Sequence, residues 1–239
     1  MIIVTTLYNA ENYVEQCIGS IMAQSYTDFK CYITDDLSTD KSVFLVKELI
    51  KDDNRFILIE NKTKMYQPGN YDQIIRNNSE ILDNDIIIEI DSDDWLPDSK
   101  VLLRINNLYS DNDVWIANGS FKYSNGQHGF CIKQENFDNI RNTTFTASHI
   151  RTWRAFLWRK IKEEDLKNEE GVYWKVAGDL SFMFPMLEMS GSKHYRFMTD
   201  VNYIYNAENP LNDHKIDLTL VSTIASKIRC KEKYEKLIR

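Results

Sequence analysis

The strongest constraint in the sequence is an alternation of short apolar runs with helical periods through its first half. Strand-like runs lie at residues 2–6, 31–33, 55–60 and 86–90, and amphipathic helical spacing separates them. Parallel strands need crossover helices, which return the chain to the same end of the sheet. We therefore predict an α/β fold in which helices flank a mixed, mostly parallel sheet.

The second half of the chain has a different character. Beyond a predicted strand at 113–118, the pattern becomes irregular and rich in aromatic residues. We predict a helix at 179–189, short strands at 194–198 and 201–205, and a C-terminal helix from about residue 215. Because no repeat, low-complexity tract or Pro/Ser-rich linker marks a boundary, residues 1–239 are predicted to form a single domain.

The composition argues against several classes of protein. The net charge of −7 disfavours binding to nucleic acid, which relies on clustered basic residues. The four cysteines lack the spacing of a zinc site or a disulfide framework. No apolar run has the ~18 residues of a transmembrane segment and no secretion signal is visible, so we expect a cytoplasmic protein. The basic C-terminal stretch, 227–239, leaves weak membrane association open, with a solvated helix as the simpler interpretation.

An acidic cluster, Asp91-Ser92-Asp93-Asp94, directly follows the predicted strand at 86–90. Three carboxylates where a chain leaves a sheet repel one another unless a cation or solvent intervenes. Mg²⁺ and Mn²⁺ prefer oxygen ligands, and Mg²⁺ commonly takes one or two carboxylates together with substrate phosphates. The cluster is therefore a candidate site for a divalent metal held against a diphosphate. The simpler alternative is an acidic turn before the helix predicted to start near residue 97.

Two other acidic motifs do not fit this cluster. A calcium-binding EF-hand loop requires Asp or Asn at its fifth position and Gly at its sixth, where Trp95 and Leu96 stand. A phosphatase of the haloacid dehalogenase type expects Thr or Val at the position of Trp95 and places its motif near the start of the chain. Both alternatives are disfavoured.

Four segments in the first half together resemble the family 2 glycosyltransferases. They are TLYNAENY (6–13), SIMAQSY (20–26), DDLSTD (35–40) and DSDDWL (91–96). Their order, spacing and position at strand ends are similar to the nucleotide-binding half of that family, over about residues 1–110. The resemblance implies a GT-A fold and an inverting transfer of a sugar from a nucleoside-diphosphate sugar, above all a UDP-sugar. It further implies Mn²⁺ or Mg²⁺ as cofactor and a hydroxyl of a glycan or lipid-linked saccharide as acceptor.

The resemblance also implies a role for each matching residue. Thr6 and Tyr8 would contact the nucleotide base, and Asp36 would accept a hydrogen bond from the edge of the base. Asp91 would contact the ribose or the metal, and Asp93 would be a metal ligand. These roles suit the residue types, because an aromatic face stacks on a base and a carboxylate accepts an imino proton. A packing role at the start of the next helix is the alternative for Tyr8.

Two departures from the family pattern affect the function. Leu37 stands where the family usually has Gly in the segment DDGSTD, and residues 61–70 replace an Asn/Gly-rich stretch. Within that stretch, Lys64 is a candidate contact to the diphosphate, with a solvated lysine as the alternative. These departures leave a catalytically inactive nucleotide-sugar or glycan-binding module as the alternative function. A sugar nucleotidyltransferase is disfavoured because no Gly-rich loop follows the first strand.

The second half contains three further segments that resemble parts of the family. The segment AGDLS (177–181) is similar to the one whose acidic residue is the catalytic base, which makes Asp179 the predicted base. The segments HIRTW (149–153) and NPLNDH (209–214) resemble a bacterial and viral subgroup. This resemblance implies that His149, Arg151 and Trp153 contact the acceptor and that His214 is a metal ligand, with simple packing as the alternative. Residues 111–239 are thus predicted to form the acceptor-binding half.

Overall fold

The computed structural model of the chain describes residues 1–212, 215 and 217–238. Its strands are β1 (Ile2–Leu7), β2 (Lys30–Asp35), β3 (Phe56–Glu60), β4 (Ile86–Glu89), β5 (Ile116–Tyr123), β6 (Arg151–Arg154) and β7 (Tyr195–Tyr205). Its α-helices are α1 (Val14–Met22), α2 (Ser42–Ile50), α3 (Tyr66–Asn77), α4 (Val101–Tyr109), α5 (Ala155–Arg159), α6 (Gly178–Ser190) and α7 (Leu218–Arg229).

The strands form one sheet in the order β3-β2-β1-β4-β6-β5-β7. Neighbouring strands run parallel except at β6, which is antiparallel to both β4 and β5. The prediction of a mixed, mostly parallel sheet is therefore confirmed. Strand β6, which has four residues and lies in the aromatic region, was not predicted. The two strands predicted at 194–198 and 201–205 are one strand, β7, whose pairing with β5 shifts register around Ser120.

Helices cover both faces of the sheet because successive residues of a buried strand point to opposite faces. On one face, Ile3 and Ile88 pack with the apolar sides of α1, α2 and α4. On the other face, Ile87 and Trp153 pack with α3, α5 and α6. Helix α6 is buried almost all round, which explains why its sequence is apolar on every side.

The carboxyl ends of β1, β2 and β4 meet at one edge of the sheet, where open α/β folds bind their ligands. Because β6 runs the opposite way, it begins at this same edge. Ile88 of β4 pairs with Thr152 of β6, so Arg151, the first residue of β6, lies beside Glu89, the last residue of β4. The topology thus brings two charged residues from distant parts of the sequence together at this edge.

The C-terminal basic stretch is helical only in its first residues. Helix α7 begins at Leu218, where the Asp217 side chain accepts a hydrogen bond from Leu220 N, and it ends at Arg229. Residues 231–238 then run without regular structure along α6, where Leu237 N donates to Met189 O. The expected terminal helix therefore stops before most of the basic residues. None of the helices in the described part of the chain is long and apolar enough to cross a membrane.

Left-handed backbone conformations mark the loops at the carboxyl edge of the sheet. The described non-glycine residues with positive φ are Asn9, Leu37, Tyr66 and Ala177. Leu37 has φ +67° at the position where the family usually has Gly. The loop after β2 thus adopts a conformation that favours glycine, although its residue carries a side chain. An L-residue in this region costs roughly 1–2 kcal/mol, so the loop is strained at Leu37.

We predict that Leu37→Gly leaves the free energy of unfolding unchanged or raises it by up to about 1 kcal/mol. Relief of the left-handed strain outweighs or balances the greater entropy of glycine in the unfolded chain, about 0.4–1 kcal/mol. Leu103→Gly is the matched control, because Leu103 is equally exposed (38%, against 39% for Leu37) but lies in α4. It should lose about 1 kcal/mol or more. Urea denaturation measures both, and equal losses in the two variants would contradict the prediction.

Candidate functional site

Asp36 organises the loop that joins β3 to α3. Its carboxylate accepts hydrogen bonds from Asn61 Nδ2 (3.1 Å), Met65 N (2.8 Å) and Tyr66 N (2.9 Å). Lys64 Nζ donates to the Asp36 carbonyl oxygen (2.8 Å) and lies 3.5 Å from Oδ2. Asp36 is buried, and each carboxylate oxygen has two neighbouring donors. The implied hydrogen bond from a base to Asp36 therefore requires one of these donors to move.

Three other predicted nucleotide contacts, Thr6, Tyr8 and Lys64, lie at the carboxyl ends of β1 and β3. The Lys64 ammonium group is 3.0 Å from the centroid of the Tyr8 ring, which is a cation–π contact, and Tyr8 as a whole is 44% exposed. Burial lowers the pKa of Lys64, while the carboxylate of Asp36 opposes this shift. Thr6 Oγ1 is buried, and the described residues offer it no hydrogen-bond partner. Tyr8 thus retains an exposed ring that a ligand can contact, whereas the hydroxyl group of Thr6 is unpaired but buried.

The acidic cluster after β4 contains two partly exposed carboxylates and one buried carboxylate. Asp91 and Asp93 are partly exposed, whereas Asp94 is buried and accepts a hydrogen bond from Asn206 N at 2.7 Å. Burial and the neighbouring Asp93 raise the pKa of Asp91 to about 7. Burial also raises the pKa of Asp93, and burial together with the other two carboxylates raises that of Asp94. Ionising all three groups is therefore costly in the absence of a cation.

The donor atoms of Asp91 and Asp93 fit Mn²⁺ or Mg²⁺. Both ions accept carboxylate oxygens, and a divalent charge would offset the repulsion that raises the pKa of Asp91. Asn209 Nδ2 donates to Asp93 Oδ2 at 2.6 Å and holds this carboxylate in place. The other predicted metal ligand, His214, lies outside the described residues.

Glu89, Asp91 and His149 form a second group of potential metal ligands, with donor atoms within 4.8 Å of one another. Arg151 Nη1 donates to Glu89 Oε1 at 2.7 Å, so this group already contains a positive charge. A metal ion bound there would be repelled by the guanidinium group at short range. This group therefore fits a divalent cation less well than Asp91 and Asp93 do.

The backbone before Asp179 is shaped to bring the first turn of α6 close to the start of α3. Ala177 has φ +52°, and a Cβ atom on Gly178 would lie 2.7 Å from Pro68 Cγ. Only glycine at 178 allows this approach without displacement of Pro68. Asp179 follows directly, in the first helical turn, where the helix dipole favours a negative charge.

Two hydrogen bonds fix the Asp179 carboxylate. Oδ1 accepts from Leu180 N (2.9 Å), and Oδ2 accepts from Arg151 Nη2 (2.7 Å). The side chain is 25% exposed, whereas that of Arg151 is 4% exposed. Each carboxylate oxygen can accept two hydrogen bonds, so Asp179 keeps acceptor capacity on an exposed carboxylate.

A continuous chain of hydrogen bonds and ion pairs links the acidic cluster to Asp179. Gln67 Nε2 donates to Asp91 Oδ1 (3.2 Å) and to Glu89 Oε1 (2.9 Å). Arg151 then bridges Glu89 and Asp179, at 2.7 Å in each case. The chain crosses the edge of the sheet from the first half of the sequence to the second. It brings Asp91 and Asp179, both predicted from the sequence, into one site.

The three predicted acceptor contacts are buried instead of lining a surface. His149, Arg151 and Trp153 are 6%, 3% and 0% exposed, respectively. The reason is that β6 lies inside the sheet between β4 and β5, where both faces are covered. The His149 ring stacks on Tyr203 with centroids 4.5 Å apart, and Trp153 packs against Trp158 in the core. The three side chains therefore line no open surface in this structure, and their contact with an acceptor stays a prediction.

Sequence reasoning missed three residues of the site: Gln67, Glu89 and Asn209. Glu89 had a visible signal, because it is the one charged residue within the apolar run 86–90. Burial raises its pKa, whereas the guanidinium group of Arg151 favours the ionised carboxylate. Gln67 and Asn209 gave no comparable signal, since amide side chains are common in loops and at helix ends.

Comparison with known proteins agrees with this geometry. Residues 2–174 match the family model described as glycosyl transferase family 2. Among curated proteins, the putative glycosyltransferase EpsH of Bacillus subtilis is 24% identical over 222 residues, which are 92% of this chain and 61% of EpsH. The chain thus spans about three fifths of the length of this relative.

Two solved structures share the fold. The first is S. aureus TarS residues 1–349 in complex with UDP-GlcNAc, with a TM-score of 0.66 and 17% identity over 87% of this chain and 58% of that one. The second is the mannosyltransferase PcManGT of Pyrobaculum calidifontis in complex with GDP-Man and Mn²⁺. It has a TM-score of 0.54 and 14% identity over 85% of this chain and 55% of that one.

We predict that the metal-free protein becomes less stable as the pH rises from 6.5 to 8.0. The pKa of Asp91 in the folded state, about 7, lies above the unfolded value of about 3.9. In this range the folded state holds a proton that the unfolded state has already released, so the free energy of unfolding falls as pH rises. The contribution of Asp91 is up to about 1 kcal/mol. Urea denaturation in EDTA measures it, and excess Mn²⁺ should restore stability more at pH 8.0 than at pH 6.5.

Asp91→Asn and Asp98→Asn are the matched variants for this measurement. Asp91→Asn removes one of the titrating carboxyl groups and should make the dependence on pH shallower than in wild type. Hydrogen bonding to Arg104 lowers the pKa of Asp98, so that group is ionised in both states and Asp98→Asn should keep the wild-type slope. A wild-type slope in Asp91→Asn would show that this carboxylate is not the source.

Proposed function

The chain belongs to glycosyl transferase family 2, and we propose that it transfers a sugar with inversion from a UDP-sugar to a hydroxyl group of a glycan or lipid-linked saccharide. The observation that carries the proposal is the chain of contacts from Asp91 to Asp179. It joins a candidate donor-binding carboxylate to a candidate base at the ligand-binding edge of the sheet. A transferase needs both groups in one site, because donor and acceptor must react in contact.

The nucleotide occupies the carboxyl ends of β1 and β2 in this proposal. Tyr8 offers a partly exposed aromatic ring to the base, whereas the hydroxyl group of Thr6 is unpaired but buried, so its contact with the base requires neighbouring groups to move. Lys64 lies beside both Tyr8 and Asp36, where its ammonium group can meet the charge of the diphosphate. The UDP-GlcNAc complex of TarS, which has the same fold, supports a UDP-sugar as the donor.

Asp91 and Asp93 would hold the divalent cation against the diphosphate, and Asn209 would orient Asp93. A cation in this position offsets the negative charge that builds up on the diphosphate as the bond to the sugar breaks. The Mn²⁺ in the PcManGT complex supports this cofactor. Mg²⁺ satisfies the same oxygen ligands.

Asp179 acts as the general base in the transfer. Its carboxylate accepts the proton of the acceptor hydroxyl group while that oxygen attacks the anomeric carbon of the donor sugar. The bond between the anomeric carbon and the diphosphate oxygen breaks on the opposite face. UDP takes that electron pair, and the configuration at the anomeric carbon is inverted. Water in place of the acceptor gives slow hydrolysis of the donor by the same steps.

The alternative of an inactive binding module rested on Leu37 and on the altered stretch 61–70. Leu37 nevertheless has the left-handed backbone that a glycine would adopt. Within the altered stretch, Asn61 Nδ2 donates to Asp36 and to Asn70 Oδ1, which holds the loop to the end of β2. Both departures therefore leave an ordered loop, which supports an active enzyme.

We predict that Asp93→Ala abolishes the manganese-dependent part of UDP-sugar binding. The test is the rise in melting temperature produced by UDP-glucose and by UDP-GlcNAc, each with and without Mn²⁺, since a ligand stabilises the state that binds it. Asp98→Ala removes an exposed acid near the cluster and should keep the full effect of Mn²⁺. Equal shifts in wild type and Asp93→Ala would contradict the metal assignment, and no shift in wild type would favour the inactive module.

We predict that Asp179→Asn keeps the affinity for the donor but lowers turnover about 10²- to 10⁴-fold, because the amide cannot accept the proton. The assay is release of UDP from UDP-glucose and UDP-GlcNAc, with donor affinity measured separately by calorimetry. Asp217→Asn, which changes the acid that caps α7, is the matched control and should turn over like wild type. Undiminished UDP release by Asp179→Asn would remove this residue from the reaction.

A further inference from the structure

The buried face of β6 carries an arginine that touches the proposed base but cannot reach a substrate. Arg151 is 3% exposed, and its guanidinium nitrogens contact Glu89, Asp179, Ser148 Oγ and Ala147 O. Of these partners, only Asp179 is both charged and partly open to solvent. A role for Arg151 in the reaction must therefore pass through Asp179.

The partner on the other side of Arg151 is a fixed anchor. Glu89 is fully buried at the end of β4, and its Oε1 accepts hydrogen bonds from both Arg151 and Gln67. Strands β4 and β6 are paired in the sheet, so the backbone positions of Glu89 and Arg151 are fixed relative to each other. The guanidinium plane consequently has one orientation, with Nη2 directed at Asp179.

We propose that Arg151, held by the buried Glu89, is a positioning residue that sets the orientation of the Asp179 carboxylate for proton transfer. This inference rests on the proposed function, because it takes Asp179 as the base. A guanidinium group suits the task, since its planar, rigid donors fix a carboxylate more closely than an ammonium group on a flexible stem. With Oδ2 bound to Arg151 and Oδ1 to Leu180 N, the carboxylate cannot rotate freely, so its remaining acceptor positions keep one direction.

Removal of Arg151 alone would leave Glu89 buried without its cation, which can prevent folding. Two changes avoid this difficulty. Arg151→Lys keeps the positive charge but loses the planar fork. The pair Arg151→Met with Glu89→Gln removes both charges together, so no uncompensated charge is left in the core.

The chain offers a matched control in Arg141, a second buried arginine. It donates to Glu188 through two nitrogens, at 2.7 and 2.9 Å, and Glu188 lies on α6, nine residues after Asp179. Arg141→Lys and the pair Arg141→Met with Glu188→Gln remove an equivalent buried ion pair away from the site. These control variants show how much the loss of a buried ion pair lowers activity through reduced stability alone.

The experiment measures UDP release from UDP-glucose and UDP-GlcNAc, with kcat and KM obtained separately for folded protein. We expect both Arg151 variants to lower kcat about 10- to 100-fold, as is typical of outer-shell partners, and to leave KM for the donor within about threefold. Both Arg141 variants should keep kcat within about twofold, even where the melting temperature falls. Arg151→Lys should be the more active of the two Arg151 variants, because one charged hydrogen bond to Asp179 remains available.

Combination with Asp179→Asn tests whether Arg151 acts through the base. If it does, adding Asp179→Asn to the pair Arg151→Met and Glu89→Gln gives an enzyme no slower than Asp179→Asn alone. Multiplication of the two losses would overturn the inference, because Arg151 would then act independently. Wild-type kcat in the Arg151 variants, or equal losses in the Arg141 controls, would also overturn it.

The outcomes separate this inference from the proposed function. A slow Asp179→Asn enzyme with unaffected Arg151 variants defeats the positioning role and leaves the proposed function intact. A fully active Asp179→Asn enzyme, or a wild-type protein that releases no UDP, defeats the proposed base or the proposed function, and the positioning role with it.

Discussion

The arrangement of the site depends on one buried ion pair, that between Glu89 and Arg151. A carboxylate at the end of an isoleucine-rich strand is stable only if it is paired or protonated, because burial disfavours its charged form. The first residue of β6 supplies the cation, and loss of one partner from a buried pair costs roughly 3–5 kcal/mol. The antiparallel insertion of β6 beside β4 is therefore fixed by electrostatics as well as by the ladder of backbone hydrogen bonds.

This pairing explains how two unlike halves of the sequence share one site. The parallel strands of the first half end at one edge of the sheet, in the loops that carry the predicted nucleotide contacts. A further parallel strand beside β4 would end at that edge as well. An antiparallel strand instead begins there, so its first side chain can reach across to α6. The glycine at 178 and the left-handed Ala177 then let the helix start close enough for Asp179 to meet Arg151. The strained backbone thus lies where the two halves meet, as expected where the surrounding contacts of a site hold a loop in an unfavourable conformation.

The sequence alone was enough to predict the parallel half of the sheet and the carboxylates at the ends of its strands. Strands of repeated isoleucines and helices of regular period are local patterns, and the position of Asp91 after such a strand followed from the pattern alone. The placement of β6 was not accessible, because a four-residue strand has no measurable period and its partner lies over 60 residues earlier. Whether His149 and Trp153 line a surface or the core was open for the same reason: without β6, no pattern placed their aromatic rings in the core.

The charges at the carboxyl edge of the sheet show which carboxylates lack a positively charged partner in the protein. Asp91, Asp93, Asp94, Glu89 and Asp179 meet there, and Arg151 is the buried cation among them. Arg151 pairs with two of them, Glu89 and Asp179, which leaves Asp91, Asp93 and Asp94 with raised pKa values and without a charged protein partner among the described residues. A donor that binds with a divalent cation would offset the charge of these three carboxylates and leave the pairs of Arg151 unchanged. In the proposed reaction, this division of the acids between a fixed arginine and an exchangeable metal would keep Asp179 in position while the donor binds and the product leaves.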